Sequence, residues 1–158
     1  MNSCNNSINI YLKEATTSDV YGLRQCNKDC LPVYYPYGYY NNVIESNKFI
    51  VIVAKHEDEI IGYIIGEASY EIPDRYHIIS FGVKKKYRKN KIGTHLINKI
   101  IDIVPNRYFN IKRISLYVMA SNDVAIKFYE SVGFIKDQIL KNYYESFNQD
   151  GYLYMKHL

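Results

Sequence analysis

The stretch from Ile78 to Val104 constrains the fold most. Ile78-Ile-Ser-Phe-Gly-Val83 alternates with a period of two, as a strand does, and Ile92, Leu96, Ile97, Ile100, Ile101 and Val104 repeat at helical spacing. Between them runs Lys84-Lys-Lys-Tyr-Arg88-Lys-Asn-Lys-Ile-Gly93-Thr94, with six Lys or Arg residues from Lys84 to Lys91. A strand, a turn and a helix start in this order present unpaired backbone N–H groups and the positive end of the helix dipole, and nearby cations add Coulomb attraction. That arrangement binds a pyrophosphate. Basic runs are most often solvated faces and also attract nucleic acid, but the position against a helix start favours one small phosphate ligand.

The remaining periodicities give a β, α, α, β, β, β, α, β, α, β, β order. A strand is expected over Ile8 to Lys13, and a helix capped near Thr17-Ser-Asp19 runs to about Cys30. The Pro- and Gly-containing loop Leu31 to Gly38 precedes a short helix from Tyr39 to Ser46. Phe49 to Lys55 and Glu59 to Ser69 read as strands joined by the charged turn His56-Glu-Asp58. After a strand from about Tyr76 to Val83, a helix from Ile92 is expected to stop at Pro105. A strand over Lys112 to Met119, a helix over Asp123 to Val132 and two strands around a loop at Asn148-Gln-Asp-Gly151 complete the chain.

A length of 158 residues with 47% hydrophobic content suits one domain. We expect a disordered tail over residues 1–7 and a single domain over 8–158. No apolar run approaches the roughly 20 residues of a membrane span, and the first ten residues lack a basic start and an apolar signal core, so the expected location is cytoplasmic. The three cysteines, Cys4, Cys26 and Cys30, lack the spacing of a zinc site or a disulfide framework and read as reduced structural thiols. No metal is expected.

Downstream of the phosphate turn stands Asn122-x-x-Ala125-x-x-Phe128-Tyr129-x-x-x-Gly133-Phe134. With Arg88-x-x-Lys91-x-Gly93 about thirty residues earlier and a strand between, the chain resembles the GNAT acetyltransferase superfamily over roughly residues 8–156. The resemblance implies an α/β fold with a mixed, splayed central sheet flanked by helices, and acetyl-CoA as co-substrate between two strands that part. By the same resemblance Phe81, Gly82 and Val83 would meet the pantetheine arm, and Arg88, Lys89, Asn90, Lys91, Ile92, Gly93 and Thr94 the pyrophosphate. Asn122 would also contact the coenzyme, and the Tyr129 phenol would stand beside its sulfur. Lys91 departs from the family's first glycine, which tolerates left-handed backbone angles. Helical angles would make that departure harmless.

Within the superfamily, Leu31-Pro-Val-Tyr-Tyr35, Arg75-Tyr-His-Ile-Ile79 and Asn142-Tyr-Tyr144 resemble protein N-terminal acetyltransferases, the NatE catalytic type first and the NatA catalytic type second. Val33 stands where the NatA type has a glutamate. The resemblance implies a pocket of Leu31, Pro32, Val33 and Ile79 for an apolar first side chain, such as Met. It implies hydrogen bonds from Tyr35, Tyr143 and Tyr144 to the peptide backbone. It also implies partners: a protein N-terminus as substrate, and an auxiliary subunit or the ribosome, with no membrane.

Acetyl transfer to an amine needs a proton acceptor, a polarised carbonyl and stabilisation of the leaving thiolate. A peptide α-amine titrates near 7.7 to 8.0, so a base titrating near neutrality suits it. His77 shares a strand face with Ile79, Phe81 and Val83, and Tyr117 shares one with Ser115 and Met119. The NatE type carries a tyrosine and a histidine at these two positions; here they are exchanged. His77 is therefore the expected base, Tyr117 its partner and Tyr129 the group at the sulfur. Two alternatives stand beside this reading: a GNAT for lysine side chains or a small-molecule amine, and a non-catalytic module for acyl-CoA or nucleic acid.

Overall fold

The computed structural model describes residues 8–158, so the expected tail over 1–7 lies outside the described residues. The elements are β1 (Tyr11–Glu14), α1 (Val20–Cys30), α2 (Tyr37–Glu45), β2 (Phe49–His56), β3 (Glu59–Ala68), β4 (Arg75–Val83), α3 (Ile92–Arg107), β5 (Arg113–Met119), α4 (Asp123–Ser131), β6 (Ile135–Tyr144) and β7 (Gln149–His157). The strands form a seven-stranded sheet in the order β1-β2-β3-β4-β5-β7-β6. β4 and β5 pair in parallel, whereas β1 with β2, β5 with β7 and β6 with β7 pair antiparallel. This is the mixed α/β architecture that the sequence implied.

Two compact units share these elements. The first runs to Ile64 and takes up Phe81–Leu96; the second comprises Ile65–Ser80 and Ile97–Leu158. In the first, the continuous runs Ile50–Ala54 on β2 and Ile60–Ile64 on β3 are buried, and Gly62, without a side chain, lets Ile92 approach. Helix α1 buries Val20, Leu23, Cys26 and Asn27, one face at helical spacing. Asn27 is a polar residue in this core, and both ends of its amide are used: it donates to the Tyr63 hydroxyl at 2.6 Å and accepts from the Tyr40 hydroxyl at 2.7 Å. One side chain thus joins α1, α2 and β3.

In the second unit the core is built from Ile97, Ile100 and Val104 of α3, Ile114, Leu116 and Val118 of β5, and the buried rings of Tyr76, Phe134 and Tyr154. Strand β4 alternates half-buried and buried residues along its whole length. Its ladder with β5 runs from Arg75 opposite Arg113 to Ile78 opposite Leu116, although both strands continue beyond that pair.

Several boundaries differ from the sequence expectation, and β1 starts at Tyr11 rather than Ile8. Pro105 does not stop α3, which continues to Arg107; the proline sits in the last turn, where it removes a single intrahelical bond. Helix α2 begins at Tyr37, because Pro36 acts as the residue before the first turn, where a missing N–H costs little. The last turn lies at Glu145–Phe147 with Asn148 left-handed at φ 49°, so Gln149 and Asp150 already belong to β7.

Candidate active site

In the first unit, the basic turn divides into structural and exposed cations. The Lys84 ammonium is held by Asp29 at 3.0 Å and Glu59 at 2.9 Å, while Lys86 and the Tyr87 hydroxyl meet the other Glu59 oxygen at 3.4 and 2.7 Å. These hydrogen bonds, Lys84 first, bring the Glu59 carboxyl down to about 2. Lys84 and Lys86 therefore lock the turn. Arg88 Nε donates to the Val83 carbonyl at 2.9 Å, and the Asn90 amide donates to the carbonyls of Tyr87 and Arg88 at 3.0 and 3.2 Å.

What remains for a phosphate is the exposed face of Arg88, Lys89, Asn90 and Lys91 and the backbone N–H groups at the start of α3. Lys89 and Lys91 both take positive φ, 63° and 59°. Lys91 therefore does not adopt the helical angles that would make it harmless; it keeps the left-handed conformation that suits a glycine. Its carbonyl accepts the first α3 bond, from His95 N at 3.0 Å. Ile92 is a core side chain at 1% exposure, packed where a Cβ on Gly62 would come within 3.1 Å, so only its backbone is available to a ligand. Gly93 and Thr94 are half-buried.

On β4, Phe81 and Val83 are half-buried and Gly82 is buried, with no room for a side chain: a Cβ there would lie 2.7 Å from Cys30 Cβ. After α1 the loop opens with Leu31, whose N–H bonds the Asn27 carbonyl at 2.9 Å. Leu31 is half-buried, Pro32 is exposed and Val33 is 58% exposed. Tyr35 stacks on Tyr39 with centroids 4.1 Å apart, and its N–H reaches the Tyr40 hydroxyl at 3.4 Å. The loop is held by its aromatic residues while its apolar tip stays accessible.

The second unit brings the expected base and its expected partner together. His77 and Tyr117 have ring centroids 4.8 Å apart, and Tyr117 in turn lies 4.8 Å from Tyr143, which meets Tyr144 edge-on at 5.1 Å. A cleft of about 240 Å³ is lined by His77 and Tyr117 together with Glu67, Glu71 and Arg75. Ile79 follows His77 on the half-buried side of β4. Burial, assisted by the charge of Arg75, pulls the His77 pKa down to about 4, well below the neutral range that the sequence argument assumed. Burial also raises Tyr143 and brings Tyr144 up to about 12.

Sequence reasoning missed Ser115. It lies opposite His77 in the β4–β5 ladder, is fully buried, and its Oγ is 2.9 Å from His77 Nδ1. The signal was available, since Ser115 was already placed on the Tyr117 face. Helix α4 carries the second motif as expected: the Asn122 side chain accepts from Ala125 N at 3.1 Å, capping the helix. Tyr129 is packed between Phe128 and Phe134 at 5.5 and 5.9 Å, and burial pushes its phenol upward, so it stays protonated. Among the described residues, no three His, Cys, Asp or Glu side chains converge on a cation position.

Comparison with known proteins bears on the family and the fold. An N-alpha-acetyltransferase of Sulfolobus acidocaldarius is 29% identical over 92% of this chain and 91% of its own. The N-terminal acetyltransferase A complex catalytic subunit NAA10 of Arabidopsis thaliana is 25% identical over 94% and 78%. The structure of Arabidopsis thaliana Naa50 in complex with the bisubstrate analogue CoA-Ac-MVNAL superposes with a TM-score of 0.79 at 27% identity, covering 94% of this chain and 99% of that one. Residues 18–134 match the acetyltransferase (GNAT) family, and the chain belongs to that family.

Proposed function

We propose that this chain is an acetyl-CoA-dependent N-alpha-acetyltransferase for protein N-termini, preferring those that begin with Met, and that residues 8–158 act as one acetyltransferase domain. The pairing of His77 with Tyr117 on the two strands whose ladder ends at Ile78 and Leu116 carries this reading. The relative of known structure was captured with an analogue of a Met-starting peptide, which supports the same substrate class. The accessible apolar tip Leu31-Pro-Val33 suits a Met side chain, and the closely similar identities of 25% and 27% leave Val33 as the argument for the NatE type over the NatA type. A cytoplasmic location and an auxiliary subunit or ribosomal partner complete the reading. The second is supported by the relative named as a complex subunit.

Acetyl-CoA supplies the activated acyl group. The substrate amine adds to the thioester carbonyl, the C–N bond forms, the C–S bond breaks and its electron pair leaves on sulfur. His77, already neutral at pH 7, takes the proton directly or through a water; it acts on the strongly acidic nitrogen formed by addition, since a group titrating near 4 cannot drain an ammonium of pKa near 8. Burial keeps the Tyr129 phenol protonated, so it is able to donate a hydrogen bond to the leaving sulfur. The backbone of Phe81 and Val83 aligns the pantetheine arm, and Tyr35, Tyr143 and Tyr144 hold the peptide.

The test is thiol release from acetyl-CoA with peptides differing in their first two residues, together with a blocked peptide carrying an internal lysine. Release with Met-apolar peptides alone is the expected result. Release only with the blocked lysine peptide would overturn the substrate assignment, and salt-sensitive RNA binding without any release would favour a binding module. His77→Phe is expected to lower kcat at saturating peptide by about 100-fold or more. Because His77 stays neutral across the assay range, kcat/KM should climb from pH 6 to 8 with the titration of the peptide amine and show no break near 6.5.

A further inference from the structure

We propose that Ser115 fixes the tautomer of His77, so that the proton sits on Nδ1 and the Nε2 lone pair faces the reaction; this rests on His77 being the proton acceptor. Ser115 lies at the middle of a three-member chain. Its Oγ is 2.9 Å from His77 Nδ1 on one side, and it donates to the Tyr76 carbonyl at 3.4 Å on the other. A serine hydroxyl has one proton. Given to Tyr76, it leaves Oγ as the acceptor for an Nδ1–H. Given to His77 instead, it would leave the fully buried Oγ accepting from no donor among the described residues and would put the ring proton on Nε2, where no base could act.

The register makes the arrangement rigid. His77 and Ser115 are directly paired residues on parallel strands, and Ser115 is at 0% exposure, so its Oγ is closed to water and its bond to the Tyr76 carbonyl is buried. On the open side the ring meets Tyr117, and the cleft it lines holds the charges of Glu67, Glu71 and Arg75. Arg75 opposes protonation of the ring, and the two glutamates are not bonded to it in a way that would select a tautomer. Ser115 is a positioning residue: fully buried, it acts through the imidazole.

The experiment begins with the wild-type protein labelled with ¹⁵N, whose His77 ring nitrogens report the tautomer at pH 7. Protonated Nδ1 with bare Nε2 is the expected result, and protonated Nε2 would overturn the inference. In kinetics, Ser115→Ala is expected to lower kcat by at least tenfold with little change in peptide KM, and Ser115→Thr, which keeps the hydroxyl, to restore most of it. Equal kcat for wild type and Ser115→Ala would also overturn the inference, as would a Ser115→Thr protein, folded by circular dichroism, that is as slow as the alanine variant. Full turnover by His77→Phe would instead sink the assignment of His77 as acceptor, and the ring spectrum would still decide the relay separately.

Discussion

At Lys91 a single side chain sets backbone cost against ligand charge. A residue with a Cβ at φ 59° gives up roughly 1 kcal/mol relative to glycine in the same conformation. Lys91→Gly should therefore raise stability by about 1 kcal/mol in urea denaturation. The same change removes an exposed ammonium beside the α3 N-terminus, so the KM for acetyl-CoA should rise a few fold at low salt, a difference that disappears at high ionic strength. A KM unchanged at every salt concentration would mean that the backbone alone meets the phosphates. The neighbouring Lys84 offers a contrast: bound by Asp29 and Glu59, it serves the turn, and its loss should appear in stability before it appears in coenzyme affinity.

At the scale of elements, the strands are fixed by where a side chain cannot go. A Cβ on Gly66 of β3 would overlap the Tyr76 ring and come within 2.8 Å of the His77 carbonyl oxygen, whereas one on Gly38 of α2 would meet nothing within 4 Å. Gly66→Ala is expected to cost about 2 kcal/mol and to reduce turnover by disturbing the His77 backbone, while Gly38→Ala should be neutral or stabilising by roughly 0.5 kcal/mol. Differential scanning fluorimetry beside thiol release would separate the two. Asn122→Ala, which removes the α4 cap, should cost about 1 kcal/mol. Periodicity revealed the elements with buried faces, because such faces must repeat with the backbone's own period, whereas β6, with no buried residue, was legible only as one side of a polar loop. It misplaced ends that depend on one residue's freedom: a proline tolerated in a last helical turn, and Asn148 taking a left-handed turn earlier than the glycine at 151 suggested. In the site, the His77–Tyr117 pairing was legible through the resemblance, which has a tyrosine and a histidine at these two strand positions, and the rings do meet at 4.8 Å. The burial that holds His77 near 4 and its bond to Ser115 depend on the register between β4 and β5, which no local pattern encodes.

For the whole molecule, the depressed groups all act in one direction on acid stability. His77, titrating near 4 when folded and near 6.5 when unfolded, is protonated more readily in the unfolded chain between those values, so stability falls as pH drops from 6.5 to 4. Glu59, lowered from 4.5 to about 2, adds its loss only below pH 4.5, and Asp19, held below its ordinary value chiefly by its Lys13 and Thr16 bonds against opposing burial, adds its own below 3.8. The windows therefore separate. Between pH 7 and 4.5 the excess loss belongs to His77 and should amount to a few kcal/mol at most, while the carboxylates dominate beneath it. Thermal unfolding of wild type and His77→Phe at half-unit pH steps checks this: the two Tm curves should diverge from pH 6.5 downward, with the variant falling less, and then run parallel below pH 4. Parallel curves throughout would show that the imidazole charges in the folded protein as easily as in water, and the neutral-acceptor chemistry would lose its physical basis.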